Sequence, residues 1–452
     1  MSNHPIDRRQ FLRTSAALAA ACAAPTIIPA RSLGADGNVA PSNRITVGFI
    51  GIGRQGLCYN LPFFASQADC EVVALCDADR WRLAVTEERT ATYYGEKKNR
   101  CPKIPKCPRY VDFRDVLARK DVDTVFIGTP DHWHVPMSVM AIKAGKDVSC
   151  EKPLTRSLAE GRLLSNLVTQ HKRVFRTDSE FRSLPQFHRA VELVRNGRIG
   201  KLHTIRTSVP IGASQSPPFV AMPVPAELNY DLWQGPAAVQ PYTEQRVHQI
   251  HGYERPGWMN IRAYSDSMIL NWTTHLNDIA QWGHNTDRTG PVAVEGHGKY
   301  PPPGSLWDAC YEFEFTCTYA DGVKLICKTD SCAPHTRFEG EGGWVQANFG
   351  GVPLEAEPKS LLDSKIGAGE LNFPLMHEKR DFLNAVKTRG PTLEDAEVGH
   401  RTASLGHLGQ IALQLGRKLK WDPDKEVFIG NDEANKLRAL PPGRSPWAME
   451  PS

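Results

Sequence analysis

One junction constrains the fold of this 452-residue chain more than any other: Arg44-Ile45-Thr46-Val47-Gly48-Phe49-Ile50 runs straight into Gly51-Ile52-Gly53-Arg54-Gln55-Gly56. The first part is apolar and β-branched enough for a buried parallel strand. The second is a GxGxxG loop opening a helix expected through Leu61 to Ala65. Gly51 permits the tight turn, Gly53 lets the backbone approach a pyrophosphate, and Gly56 lets helix and strand pack closely, with the anion on the helix N-terminus. A second strand, Glu71 to Cys76, ends at Asp77, 21 residues past Gly56. An acid there accepts hydrogen bonds from ribose hydroxyls and repels a 2′-phosphate, which favours NAD over NADP. Arg80 and Arg82 work against that preference, and the structural alternative for Asp77 is a cap on the next helix.

Downstream, the pattern repeats. A helical run from Trp81 to Tyr93 and a short helix from Val111 to Leu117 precede the strand Thr124 to Gly128, which leads into Thr129-Pro130-Asp131-His132-Trp133-His134. Val135 to Ala144 reads as helix, Gly145 stops it, and Lys146 to Cys150 forms a strand that delivers Glu151-Lys152-Pro153. This alternation predicts an α/β doubly wound parallel sheet of Rossmann type over residues 44–172. His132 and His134 have no third ligand in the pattern, so ring packing and a hydrogen bond are expected of them and no metal. Residues 173–452 form a second, α+β domain. From Leu202 to Leu354 short runs alternate with Pro, Gly and aromatics, the texture of a large, mostly antiparallel open sheet. Ala320-Asp321-Gly322 is a hairpin turn between two alternating strands, and Glu378 to Val386 and His400 to Leu419 are helical.

The N-terminus stands apart. Asp7-Arg8-Arg9-Gln10-Phe11-Leu12-Arg13 is a twin-arginine pattern, followed by an Ala-rich run and a small-residue site near Leu33-Gly34-Ala35, so residues 1–35 read as an export signal and 36–43 as a linker. The apolar run is too short to span a bilayer, so no stable membrane insertion is expected once the signal is removed. The expected location is the periplasm. A formal charge of +4 on this length gives no basic footprint for nucleic acid. Cys101 and Cys107 bracket a short loop that an oxidising compartment would allow to close, and their spacing is not a zinc pattern.

Taken together, the glycine loop, Asp77, Thr129 to His134, Glu151-Lys152-Pro153, Asp231-Leu232-Trp233-Gln234-Gly235-Pro236 and His275-Leu276-Asn277-Asp278 resemble the Gfo/Idh/MocA family, relatives of glucose-fructose oxidoreductase and inositol dehydrogenase. The resemblance implies a substrate pocket between a nicotinamide and the second sheet, with Lys152 and His275 at the reacting carbon. It implies cofactor contacts from Gly51, Gly53, Arg54, Gln55, Gly56, Asp77, Thr129, Pro130, His134, Glu151 and Lys152, and substrate contacts from Asn271, Asp278, Trp233 and Tyr264. It also suggests a homodimer or homotetramer through the open sheet. One departure stands out: Asn271 occupies a position, four residues before His275, where many family dehydrogenases carry Asp. Asparagine cannot take a proton, and Asp266 is the expected alternative source of an acid. The resemblance implies oxidation of a sugar or polyol carbinol with a retained NAD. The alternatives are a redox-neutral glycosidase or lyase acting through a transient keto-sugar, and a cofactor-retaining binding protein.

Overall fold

The two strands that the glycine turn needs side by side are β1 (Ile45–Ile50) and β4 (Thr124–Ile127). They pair in parallel with Phe49 opposite Phe126, and the two rings stack 4.5 Å apart. In the computed structural model, which describes residues 39–40, 43–86, 88, 107–439 and 443–449, these strands sit at the centre of a six-stranded sheet. Its order is β3-β2-β1-β4-β5-β6, with β2 Cys70–Cys76, β3 Arg109–Tyr110, β5 Asp147–Glu151 and β6 Phe175–Asp178. Every neighbouring pair is parallel. The order reverses between β1 and β4, the place where open α/β sheets form a ligand crevice at their carboxyl ends. β6 lies beyond the 172/173 boundary read from sequence, yet it pairs with β5 and closes the first sheet. Cys101, and with it the loop it shares with Cys107, lies outside the described residues, as does the end of the helical run at Tyr93.

The second sheet has nine strands in the order β13-β12-β11-β7-β10-β9-β8-β14-β15. They are β7 Leu202–Pro210, β8 Ala293–Lys299, β9 Glu312–Thr318, β10 Lys324–Asp330, β11 His335–Gly340, β12 Gly343–Asn348, β13 Glu355–Glu357, β14 Leu419–Asp422 and β15 Val427–Phe428. The β9–β10 hairpin turns at Gly322, whose φ is +89°. All pairs are antiparallel except β10 with β7. The strands alternate buried and exposed residues, as in Phe313, Phe315 and Cys317 against Glu314, so one face takes a helical layer and the other does not. That layer is made of Pro185–Arg195, Thr273–His284 and Ala396–Leu415.

Two C-terminal helices tie the sheets together. Glu378–Thr388 returns to the first sheet, burying Phe382 and Leu383 with β1 and β2 side chains, on the order of 1.5–3 kcal/mol each. Ala396–Leu415 is capped by Asp395, whose carboxylate accepts from Val398 N at 3.0 Å. Glu397 at its start shares Arg162 of helix Leu158–His171 with Glu426. The described residues from Ile45 onward are accordingly one compact unit. Among the described residues no helix is long and apolar enough to cross a membrane.

Candidate active site

At the carboxyl end of the first sheet a cavity of about 440 Å³ opens, lined at one end by Gly51, Gly53, Arg54, Gln55, Asp77 and Thr129. Gly51 has φ +96°, and a Cβ there would come within 2.6 Å of Gly128 O, so the turn requires glycine. A Cβ on Gly56 would collide with the Gly51 carbonyl oxygen. A Cβ on Gly53 would meet no atom within 4 Å and would project into the cavity. That bare stretch of backbone is the cradle a pyrophosphate needs. The helix expected to follow begins as a π-turn over Gly56–Asn60 before the α-helix Leu61–Ser66. Asp77 lines the same end. Its Oδ2 accepts from Ile52 N at 2.7 Å and its Oδ1 from Asp79 N at 2.9 Å, and burial pushes its carboxyl up to about 6.

A segment that the sequence reading did not single out covers this end. His248, Tyr253, Arg255 and Trp258 line the cavity. Arg82, beside Asp77, donates to Gly252 O at 3.0 Å and lies over the Tyr253 ring, while Trp81 stacks on His251 at 5.0 Å. Arg82, one of the cationic groups at this end, is thus engaged with this strap. Its signal in the sequence is only a cluster of aromatic and histidine residues with no motif.

At the other end Lys152, Asn271 and His275 face the same space. β5, buried at all five positions, delivers Lys152; the Lys152–Pro153 peptide is cis. Lys152 Nζ donates to Asn271 O at 3.3 Å. His275 enters from helix Thr273–His284, stacked on Phe181 with centroids 4.4 Å apart and planes at 13°. Its Nδ1 lies 3.2 Å from Ser179 Oγ. Burial, reinforced by the Lys152 charge, holds the ring well below the usual histidine range, so the imidazole is neutral. Glu151 does not hold Lys152. Its Oε1 accepts from Asn60 Nδ2 at 2.7 Å, fastening the π-turn to the end of β5, and burial with the nearby Asp178 pushes its carboxyl up to about 8.

Glu180 also lines this end and was missed in the sequence. It sits two residues past β6 in no recognisable motif, between Ser179 and Phe181, both of which touch His275. Burial raises its carboxyl above the ordinary range against the pull of Lys379 and Lys152.

Several expected residues lie elsewhere. Asp278, 0% exposed, is gripped by Arg182 through two hydrogen bonds of 2.6 and 2.7 Å and does not reach the cavity. Asp266 faces Arg156 and Arg262 in a separate polar pocket, so it cannot replace the acid missing at Asn271. Tyr264 is fully buried against His132 and Trp233, behind the cavity wall that Trp233 itself helps form. His134 is likewise set back. Its Nδ1 lies 2.8 Å from Pro153 O and its Nε2 2.9 Å from Thr129 O, so it braces the exit of Lys152 against the loop after β4. His132 is neutral, with burial bringing it down to about 3, and its Nε2 bonds Trp233 O at 3.0 Å.

Residues 45–179 match the Gfo/Idh/MocA model described as "Oxidoreductase family, NAD-binding Rossmann fold", and residues 214–449 match "Oxidoreductase family, C-terminal alpha/beta domain". The chain belongs to the Gfo/Idh/MocA oxidoreductase family. Residues 5–25 match a twin-arginine translocation pathway signal sequence, which marks this family member for export. Among curated proteins it is 31% identical over 169 residues to a "Glycosyl hydrolase family 109 protein" of Shewanella sp. strain W3-18-1, covering 35% of this chain and 36% of that protein. It is 34% identical over 170 residues to "Glycosyl hydrolase family 109 protein 2" of Shewanella sp. strain ANA-3, covering 34% and 35%. The alignments thus span about a third of those relatives. Similar solved structures include GenD2 from gentamicin A biosynthesis in complex with NAD, with a TM-score of 0.60, 17% identity and 85% and 98% coverage of this chain and that one. The aldose-aldose oxidoreductase from Caulobacter crescentus complexed with glycerol gives a TM-score of 0.60, 18% identity and 83% and 99% coverage. At these identities they show the shared fold.

Proposed function

We propose that the protein is an exported, NAD-dependent oxidoreductase of a sugar or polyol carbinol that retains its cofactor through the cycle. The observation that carries this is the shared cavity: the glycine cradle and Asp77 lie at one end, and Lys152 with a neutral His275 at the other. Gly51, Gly53, Arg54, Gln55, Asp77 and Thr129 would hold the dinucleotide, with the carboxylate of Asp77 toward the ribose favouring NAD over NADP. Bound there, NAD supplies a hydride acceptor. His275 is suited to take the hydroxyl proton at its free Nε2, since Nδ1 is turned to Ser179. The Lys152 ammonium, steered by Asn271 O, is suited to stabilise the developing alkoxide. The strap over Arg82 and Trp81 supports retention of the cofactor.

A redox-neutral variant, in which transient oxidation activates a glycoside for cleavage, is favoured by the name of the curated relatives. It also suits a protein exported to the periplasm, where no pool of free nicotinamide is expected to collect electrons. Asn271 in place of an acid loosens the tie to a plain dehydrogenase. A homodimer or homotetramer through the uncovered face of the nine-stranded sheet fits either chemistry. The test is Lys152→Met on the holoprotein with a panel of sugars and glycosides. Turnover should fall at least about a hundredfold with NAD still bound; a variant that turns over like the parent removes Lys152 from the chemistry.

A further inference from the structure

We propose that Glu180 is a second proton-transfer group of this site, which removes the proton from the carbon beside a transient sugar carbonyl and passes it to the departing glycosidic oxygen. The inference deepens the redox-neutral form of the proposed function and rests on it. Oxidising a carbinol requires one base, and neutral His275 fills that place. Cleaving a C–O bond next to a carbonyl requires another, because the C–H proton lies on a different carbon.

The acids that could serve are few. Asn271 cannot take a proton. Asp278 is locked to Arg182 and Asp266 opens into another pocket. Among the carboxylates that line the cavity, Asp77 accepts from two backbone amides, Asp131 accepts from Ser265 at 2.6 Å and Glu151 accepts from Asn60. Glu254 is exposed on the strap at the cofactor end. Glu180 is half-buried, and among the described residues its carboxylate has no hydrogen bond or ion pair. Its backbone is fixed on both sides of the reacting end: Ser179 holds His275 Nδ1, and Phe181 stacks on the His275 ring and on Phe349 at 5.1 Å. Burial raises this carboxyl above its ordinary range, so its carboxylate is a stronger base toward a carbon-bound proton than an exposed one, and the acid so formed can hand the proton on.

The step balances without a further reactant. The C–H bond beside the carbonyl breaks, its proton goes to the Glu180 carboxylate and its electron pair becomes the new C=C bond. The glycosidic C–O bond breaks with its pair on oxygen, and that oxygen takes the proton from Glu180.

The experiment uses methyl 3-keto-hexopyranosides in deuterated water, so that no prior oxidation is needed. Deuterium entering the carbon beside the keto group is followed by mass spectrometry for the holoprotein, Glu180→Gln and Glu180→Asp. Wash-in should fall at least about a hundredfold in Glu180→Gln and return in part in Glu180→Asp, with bound NAD and thermal midpoint unchanged in both. The pH profile of wash-in should lose its acidic limb in Glu180→Gln. Wash-in at the parent rate in Glu180→Gln, or none with the parent protein on any keto-glycoside, overturns the proposal. Absorbance of the bound nicotinamide on adding unoxidised glycosides separates the two readings. If Glu180→Gln still reduces it while wash-in is lost, both stand; if the parent never reduces it yet wash-in depends on Glu180, the oxidoreductase reading fails alone.

Discussion

Replacing Asp278 by asparagine tests whether this residue serves the fold or the substrate. The Asp278 and Arg182 side chains are 0% and 3% exposed and share two hydrogen bonds, with Thr402 Oγ1 adding a third at 3.3 Å. Asparagine keeps the shape but removes the charge and turns an amide N–H₂ toward the guanidinium or the Thr402 hydroxyl. Breaking a buried pair by removing one partner costs about 3–5 kcal/mol. Arg182 retains Asp287 at 3.3 Å and Leu393 O at 3.0 Å, which places the loss near the lower end. Unfolding entropy of about 2.1 cal/mol/K per residue over a unit of this size converts that loss to a fall in thermal midpoint on the order of 4 °C. The assay is calorimetric unfolding of parent and Asp278→Asn holoprotein, with NAD content measured on the same samples. A midpoint within about 1 °C of the parent, together with collapsed turnover on the sugar panel, would refute the reasoning and return Asp278 to the site.

Other perturbations separate cradle from scaffold. Gly53→Asp adds a side chain where nothing lies within 4 Å, so stability should hold while NAD binding is lost, read by calorimetric titration of the apoprotein. Gly56→Ala, which drives a Cβ into Gly51 O, should cost about 1–3 kcal/mol of stability as well as NAD affinity. Asp77→Ala should weaken NAD and narrow the gap to NADP; an unmodified protein that prefers NADP would contradict the ribose argument. At acid pH the Glu426 carboxyl matters. Although burial alone would raise it, hydrogen bonds from His400 and Arg162 hold it at about 2 against an ordinary 4.5. A carboxyl depressed in the fold favours folding above its unfolded value and loses that contribution as pH falls through the folded one. The parent should therefore lose more thermal stability between pH 5 and pH 2 than Glu426→Gln does, and equal losses would show that this network carries no pH dependence.

What the sequence made legible follows from how local each signal is. The glycine turn, Asp77 and the strand ending in Lys152 are each fixed within a few residues by turn chemistry and strand pattern, and they come together because consecutive βα units wind onto one sheet. His275 was legible through its resemblance to a family motif. Asp278, expected among the substrate contacts from the family resemblance, lies away from the cavity because Arg182, from a distant segment, captures it. Glu180 was hidden for the opposite reason, since it carries no motif and becomes a site residue only because β6 joins the first sheet and Phe181 meets His275. The parallel pairing of β10 with β7 and the strap at His248 to Trp258 depend on contacts far apart in the chain, which periodicity does not encode.

The strap has a consequence for how such a molecule would be stocked. It is moored to the helical turn just after Asp77 by the Arg82 hydrogen bond to Gly252 and the Trp81 stack on His251. A dinucleotide lying against Asp77 would meet these moorings on its way out, so its escape would slow toward the rate at which they open. Under the proposed function the protein then works as a sealed cartridge. It is charged once, while folding, before the twin-arginine signal directs it outward, and dialysis after purification should leave its nicotinamide in place.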